Sequence, residues 1–569
     1  MTASERLQAA FERIAVVDRP EVWITLRPPE EALAEAAQVD ARVAAGEDLP
    51  LAGRTLAVKD NIDVGGLPTT AGCPRFAYHP RADAPVVARL RAAGAVVVGK
   101  TNMDQFATGL VGTRTPYGAV RDARRPEYVS GGSSAGSAVA VALGLADLAL
   151  GTDTAGSGRV PAAFQGIVGL KPTHGLVPSV GVVPACRTLD CVTVFAAGLA
   201  EAEEAMAAMA GLEPGDPRGR AWPPDAPLAG PPSPRVAVPR DLPELGKAEV
   251  AAFGRACARL EAAGAECVEI DLSPFLEVAR LLYGGGFAAE RHQAVGDFVE
   301  RHPDDVDPVV GSIVRAAGRI PAHALVEDGK RLDELRLEAL AALAGCDALL
   351  VPTAPFQPTL AAVAAEPVEV NSRLGTYTNF CNLLDMSAAS VPAGRAGEAE
   401  FGVTVLARPF ADRVACEVAR LLEGGRPPAR SAEPPAAELV VVGAHLSGQP
   451  LNHQLTQRGA RRVGAVRTTP EYRLYALDTE PPKPGLVRVG DGGAGVEGEL
   501  WALPLAALGT FLASLPSPMA LGRVRLDDGR AVTGFLCEGA ATEGALDITG
   551  SGGWVGYLRG AGASRPHHA

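Results

Sequence analysis

The chain has 569 residues, 47% hydrophobic and 21% charged, a globular composition with length for more than one domain. Its 53 basic and 66 acidic residues leave a formal net charge of −13, the wrong sign for the phosphate contacts that nucleic-acid binding needs. "MTASERLQAAFERIAVVDRP" carries charge where a secretion signal is apolar, and the longest apolar run, "SAVAVALGLADLALG", is broken by Asp147, so neither a signal peptide nor a membrane span is expected and the chain reads as cytoplasmic.

In chain order, residues 29–45, "PEEALAEAAQVDARVAA", alternate charge with alanine and predict a surface helix. "LAVKDNID" reads as a short strand ending in a turn, and "VVARLRAAGAVVVGKTNMD" as a helix followed by the strand "AVVVG". The same alternation returns at "PRVAVPRD", "EVAAFGRACARLEAAGAECVEIDL" and "EALAALAGCDALLVPTAP". It predicts one large α/β domain over 1–423, a mixed central sheet covered by helices.

Residues 424–437, "GGRPPARSAEPPAA", have no apolar period and read as a linker. Beyond it, "ELVVVGAHLSG", "RRVGAVRTTPEYRLYALD", "GLVRVGD" and "GRVRLDDGRAVTGFLCEG" are short alternating runs broken by glycine, which predict a smaller β-rich α+β domain over 438–569. The nine cysteines are odd in number and scattered, so free buried thiols are expected rather than disulfides or metal ligands.

The chemistry-bearing stretch is "GGSSAGSAVAVALGLADLALGTDTAGSGRVP", residues 131–161. Gly132, Ser134 and Gly136 fit the GxSxG nucleophile elbow, but a run so rich in Gly and Ser produces that pattern by chance. The elbow also needs a histidine base. His174, His292, His302, His323, His445, His453, His567 and His568 lie downstream, none in a recognisable loop motif near the end of the first domain. A phosphate cradle would require GK[ST] at a fixed place after the glycines, and none follows this stretch.

A serine can instead be activated by a lysine whose burial disfavours the ammonium form. "AVKDN" places Lys59 between an apolar strand and a polar turn, where such burial is feasible. With "GGSSAGS" and "GTDTAGSGRVP" following in that order, the chain resembles the amidase signature family of Ser-Ser-Lys amide hydrolases over nearly all of residues 20–423.

The resemblance implies Ser157 as nucleophile, Ser133, after a cis peptide bond, as the bridging serine, and Lys59 as base. It implies an oxyanion hole from the N–H groups of Thr154, Ala155 and Gly156, with Asp153 and Arg159 as supports. Neither a metal nor an organic cofactor is expected.

Most of that family read DTGGS where this chain reads DTAGS, a form associated with its allophanate hydrolase branch. "TYTNFCNLLDMSAASVPAG" and the tail from "VVVGAHLSGQPLN" resemble that branch too. The implied substrate is the small anion allophanate, gripped by Arg291 and Tyr283 of "LLYGGGFAAERH", with Arg373 in reserve. Spacing alone reads that pair otherwise, as a half-buried aromatic and a surface ion pair.

For His445, in "VVVGAHLSGQPLNHQL", the resemblance implies a catalytic role on the carboxylated product; a structural histidine is the plain reading. A homodimer in urea or triazine-derived nitrogen use is further implied. The alternatives are another amidase of the family, the amidotransferase component that works on charged tRNA, or an idle scaffold.

Overall fold

The computed structural model describes residues 1–425 and 427–563, so His567, His568 and Arg426 of the linker lie outside the described residues. The chain forms two compact units, residues 1–221 with 233–432, and residues 222–232 with 433–569. Residues 222–232 fall inside the stretch that the sequence assigns to the first domain, yet they pack within the second unit. Leu228 N–H, for example, donates to Gly459 O and Ala506 N–H to Pro224 O.

The first unit is built on eleven strands: β1 (Trp23–Leu26), β2 (Thr55–Lys59), β3 (Val96–Thr101), β4 (Leu148–Asp153), β5 (Val168–Lys171), β6 (Cys191–Ala196), β7 (Arg235–Pro239), β8 (Glu266–Ile270), β9 (Ala348–Pro352), β10 (Ser387–Ala396) and β11 (Ala399–Ala407). They pair in the order β1-β3-β2-β4-β6-β5-β10-β11-β9-β7-β8. The sheet is mixed. β2 runs parallel to β3 and β4, and β7 parallel to β8 and β9, while the remaining pairs are antiparallel.

The strands are apolar on both faces because both faces are covered. Leu56, Val58, Leu148, Leu150, Val192 and Val194 enter one core cluster. Their neighbours Ala57, Ala149 and Phe195 enter another, with Ala135, Ala138 and Val139 of the helix Ala135–Ala142. The predicted surface helix spans Pro29–Ala44 and buries Ala32, Ala36 and Val39 in that second cluster, which is why its alanines recur at helical spacing.

This topology positions the site. Lys59 ends β2 and Asp153 ends β4, and since these strands are parallel neighbours, both chains leave the sheet at the same edge. The loop after β4 delivers Ser157, and the segment before the helix Ala135–Ala142 delivers Ser133.

The second unit has a five-stranded sheet in the order β13-β16-β12-β18-β17 and a three-stranded one, β15-β14-β19. The strands are β12 (Ala436–Val441), β13 (Arg461–Arg467), β14 (Tyr472–Leu477), β15 (Lys483–Arg488), β16 (Glu497–Pro504), β17 (Met519–Arg525), β18 (Ala531–Cys537) and β19 (Leu546–Asp547). Its own core includes Leu439, Trp501, Phe511, Phe535 and Trp554. All nine cysteines are free. Among the described residues no helix is long and apolar enough to cross a membrane.

Candidate active site

At the sheet edge the Lys59 ammonium nitrogen lies 2.8 Å from Ser133 Oγ and 2.7 Å from Thr152 Oγ1, fully buried. Burial pulls the amine down from 10.5 to about 7, although the carboxylates of Asp104, Asp190 and Asp153 oppose the fall. Near neutral pH Lys59 is therefore a half-neutral amine in contact with a hydroxyl, the arrangement a general base requires. The peptide bond between Gly132 and Ser133 is cis. Ser134, the elbow alternative, is committed elsewhere: its Oγ donates to Thr152 O at 3.1 Å and accepts from Thr152 N–H at 3.3 Å.

Ser157 is buried in the loop between β4 and the helix Val160–Gln165, and its hydroxyl forms no hydrogen bond among the described residues. Asp153 shapes that loop. Its carboxylate accepts from Gly156 N–H at 2.9 Å and Gly158 N–H at 3.0 Å, and takes both arms of the Arg159 guanidinium at 2.9 Å. Burial works against the Asp153 charge, but the adjoining Arg159 outweighs it and holds the carboxyl below its usual range. Arg159 in turn donates to Thr378 O and Asn382 Oδ1, and Asn382 Nδ2 donates back to Asp153 O.

The predicted oxyanion donors divide. Gly156 N–H points at the Asp153 carboxylate and is already used, because the same carboxylate that closes the loop needs it as a donor. Thr154 N–H and Ala155 N–H have no acceptor among the described residues and remain open. Gly156 has φ +139°, and a Cβ there would lie 2.4 Å from Thr378 Oγ1, so only glycine fits. Ala155 is under no such demand, which is how this chain accepts DTAGS.

Sequence reasoning missed Asp190, which sits behind this loop. It accepts from Thr154 Oγ1 at 2.5 Å, Ala185 N–H at 2.9 Å and Cys186 N–H at 3.2 Å. Burial raises its pKa to about 6 in spite of those donors. Thr152 and Asn382 were missed as well; both are polar residues inside otherwise apolar runs, a signal that is weak without the fold.

Tyr283 and Arg291 come together. The guanidinium carbon of Arg291 lies 5.1 Å from the centre of the Tyr283 ring. Arg291 is 1% exposed, donates to Thr108 Oγ1 at 3.2 Å, leaves Nε without a partner and forms no ion pair among the described residues. A buried, unpaired guanidinium is costly unless an anion meets it. The surface ion pair that spacing suggested is therefore not what the fold builds. Tyr283, Asn379 and Arg280 line a cavity of about 490 Å³, and Asn379 Oδ1 is buried without a hydrogen-bond partner. Arg373 lines the same cavity but is committed to Glu244 at 2.7 Å and lies over the Phe356 ring.

In the second unit His445 follows β12 and lies flat against Phe535, ring centres 4.8 Å apart. Its Nε2 is 3.0 Å from Gln454 Oε1, and burial lowers its pKa. With Gln454, Lys483 and Phe535 it lines a cavity of about 220 Å³. Lys483 is itself buried, and its amine donates to Pro481 O at 3.1 Å.

The amidase family model matches residues 5–416, and the allophanate hydrolase C-terminal domain matches residues 437–559. The chain is 43% identical over 571 residues to the urea amidolyase of Lachancea kluyveri, a match covering 94% of this chain and 31% of that protein. It thus spans less than a third of that longer relative. It is 36% identical to a glutamyl-tRNA(Gln) amidotransferase component of Symbiobacterium thermophilum, over 74% of this chain and 92% of that one. Among solved structures it is similar to the allophanate hydrolase of Kluyveromyces lactis, with 39% identity and a TM-score of 0.90 over 99% of this chain and 97% of that one.

Proposed function

Since the chain belongs to the amidase family and carries the allophanate hydrolase C-terminal domain, we propose that it hydrolyses allophanate in urea-derived nitrogen use, with Ser157, Ser133 and Lys59 as its catalytic triad. The observation that carries this reading is the buried contact between Lys59 and Ser133 at 2.8 Å, on an amine brought down to about 7.

Neutral Lys59 takes the Ser133 proton as Ser133 takes that of Ser157, whose Oγ attacks the terminal carbonyl carbon. The C=O electron pair moves to oxygen, where the open N–H groups of Thr154 and Ala155 receive it. Collapse breaks the C–N bond, and the leaving nitrogen takes back the proton through Ser133 to depart as ammonia. Water repeats the sequence on the acyl-enzyme and releases N-carboxycarbamate. Arg291 and Tyr283 hold the substrate carboxylate, which places the distant amide at Ser157 and disfavours neutral amides.

In the second unit, His445 assists the loss of carbon dioxide from N-carboxycarbamate, whose nitrogen takes its proton from water, and the carbamate then decays to ammonia and carbon dioxide. Residues 1–423 and 438–569 serve as the two functional domains, joined by 424–437, in a homodimeric cytoplasmic enzyme.

The deciding experiment measures ammonia release from allophanate, malonamate, biuret and simple amides by the purified chain and by Ser157→Ala. Turnover of allophanate that disappears in the variant supports both substrate and nucleophile. Turnover of neutral amides with allophanate untouched refutes the substrate and the roles of Tyr283, Arg291 and His445. Activity only with added partner chains favours the amidotransferase reading.

A further inference from the structure

Asp104 lies three residues beyond Thr101, the ladder partner of Lys59 on β3, and is fully buried. Its carboxylate forms no ion pair among the described residues and acts only as an acceptor. Oδ2 takes Val111 N–H at 3.2 Å and Gly112 N–H at 3.0 Å, and Oδ1 takes Arg114 N–H at 3.0 Å. Its own N–H donates to Ser133 O at 3.2 Å.

The carboxylate also presses on the backbone that carries Ser133. A Cβ at Gly132 would lie 2.2 Å from Asp104 Oδ2, and one at Gly109 2.6 Å from the same oxygen. The side chain is thus wedged between two glycines, one of them next to the bridging serine, and three backbone donors hold it there.

We propose that Asp104 is a positioning residue for the Ser133–Lys59 pair, seating the Gly132–Ser133 backbone and supplying the main counter-charge to the Lys59 amine. It rests on Lys59 as base, the reading given above.

The other groups around Lys59 leave this task to Asp104. Asp153 is neutralised by both arms of Arg159. Asp60, next in sequence, is paired with Lys100 at 3.1 Å, both side chains buried. Asp190 is spent on Thr154, Ala185 and Cys186, and burial holds its pKa at about 6. Thr152 and Ser133 contribute neutral hydroxyls. Of the three carboxylates that oppose the fall of the Lys59 pKa, Asp104 has the largest effect.

The test is the pH profile of kcat/KM for allophanate in the full chain, for wild type, Asp104→Asn and Asp104→Glu. Asparagine keeps an oxygen for the backbone donors and removes the charge. An opposite charge favours the ammonium form, so its loss moves the acid limb to lower pH by roughly one unit. Glutamate keeps the charge but displaces the wedge. Its acid limb stays with wild type, and kcat falls by about tenfold or more as Ser133 shifts.

An asparagine enzyme with an unmoved acid limb overturns the counter-charge. A glutamate enzyme with wild-type kcat overturns the wedge, and it decides the matter should asparagine fail to fold. A wild-type profile with no acid limb near 7 overturns instead the prior reading of Lys59, which keeps the two failures apart.

Discussion

Lys59 joins stability to activity, and replacing it exposes both. Bringing the amine from 10.5 to about 7 means that burial disfavours its charged form by on the order of 5 kcal/mol. At pH 7.5 about three quarters of the enzyme holds a neutral base, against about one part in a thousand for an ordinary lysine. The acid limb of kcat/KM therefore falls tenfold per unit below about 7 and levels off above it.

The same depression carries a stability cost with a defined sign. Between about 7 and 10.5 the unfolded chain keeps a proton that the folded one has released, so folding stability rises with pH across that window. Lys59→Met removes this dependence. The methionine variant is inactive yet more stable than wild type at pH 7, and its advantage shrinks by about 1.4 kcal/mol per pH unit toward pH 10. Urea unfolding of the first unit, followed by hydrogen exchange at pH 7, 8 and 9, reads that difference. Equal pH slopes in the two proteins would refute a buried neutral lysine, and a variant that keeps more than a tenth of the activity would refute Lys59 as the base.

The remaining expectations concern the residues around the triad. Asp190 has a pKa of about 6 and loses acceptors when protonated, so the wild-type acid limb steepens toward a second power below pH 6, whereas in Asp190→Asn it keeps unit slope; a wild-type slope of one throughout removes Asp190 from the pH response. Arg159→Met leaves the buried Asp153 charge unpaired and destabilises the first unit by about 3–5 kcal/mol, measured by denaturant unfolding; a loss under 1 kcal/mol contradicts the structure of that loop. Arg291→Met raises KM for allophanate by a hundredfold or more with little change for propionamide, and equal losses on both would place Arg291 outside the substrate site.

Most of the fold was readable because both faces of the large sheet are covered. β2, β4 and β6 are buried throughout, and the helix Pro29–Ala44 repeats its alanines at the spacing of its buried face. The Lys59, Ser133 and Ser157 positions were legible through a long local motif, and the fold places Lys59 and Ser133 in contact across 74 residues. Asp190 was not legible, since its partner Thr154 lies 36 residues away and no local pattern marks either residue. Asn382 reaches Asp153 across 229 residues. The passage of residues 222–232 into the second unit was hidden for a related reason: Pro-rich segments give no periodicity to assign.

The choice of lysine follows from where the site lies. A histidine base is near its working range in water and needs an acid only to orient it, whereas a lysine must be dried to become a base at all. The edge of β2 and β4 supplies that dryness, since Lys59 is fully buried at the end of a strand with no other ionisable group. Dryness alone would push the amine too low to draw the proton from Ser133. The carboxylates of Asp104, Asp190 and Asp153 set the limit, and the amine stops at about 7. On the proposed mechanism, any substitution that opens the edge to water is expected to end catalysis by returning Lys59 toward its charged form, with all three residues of the proposed triad intact.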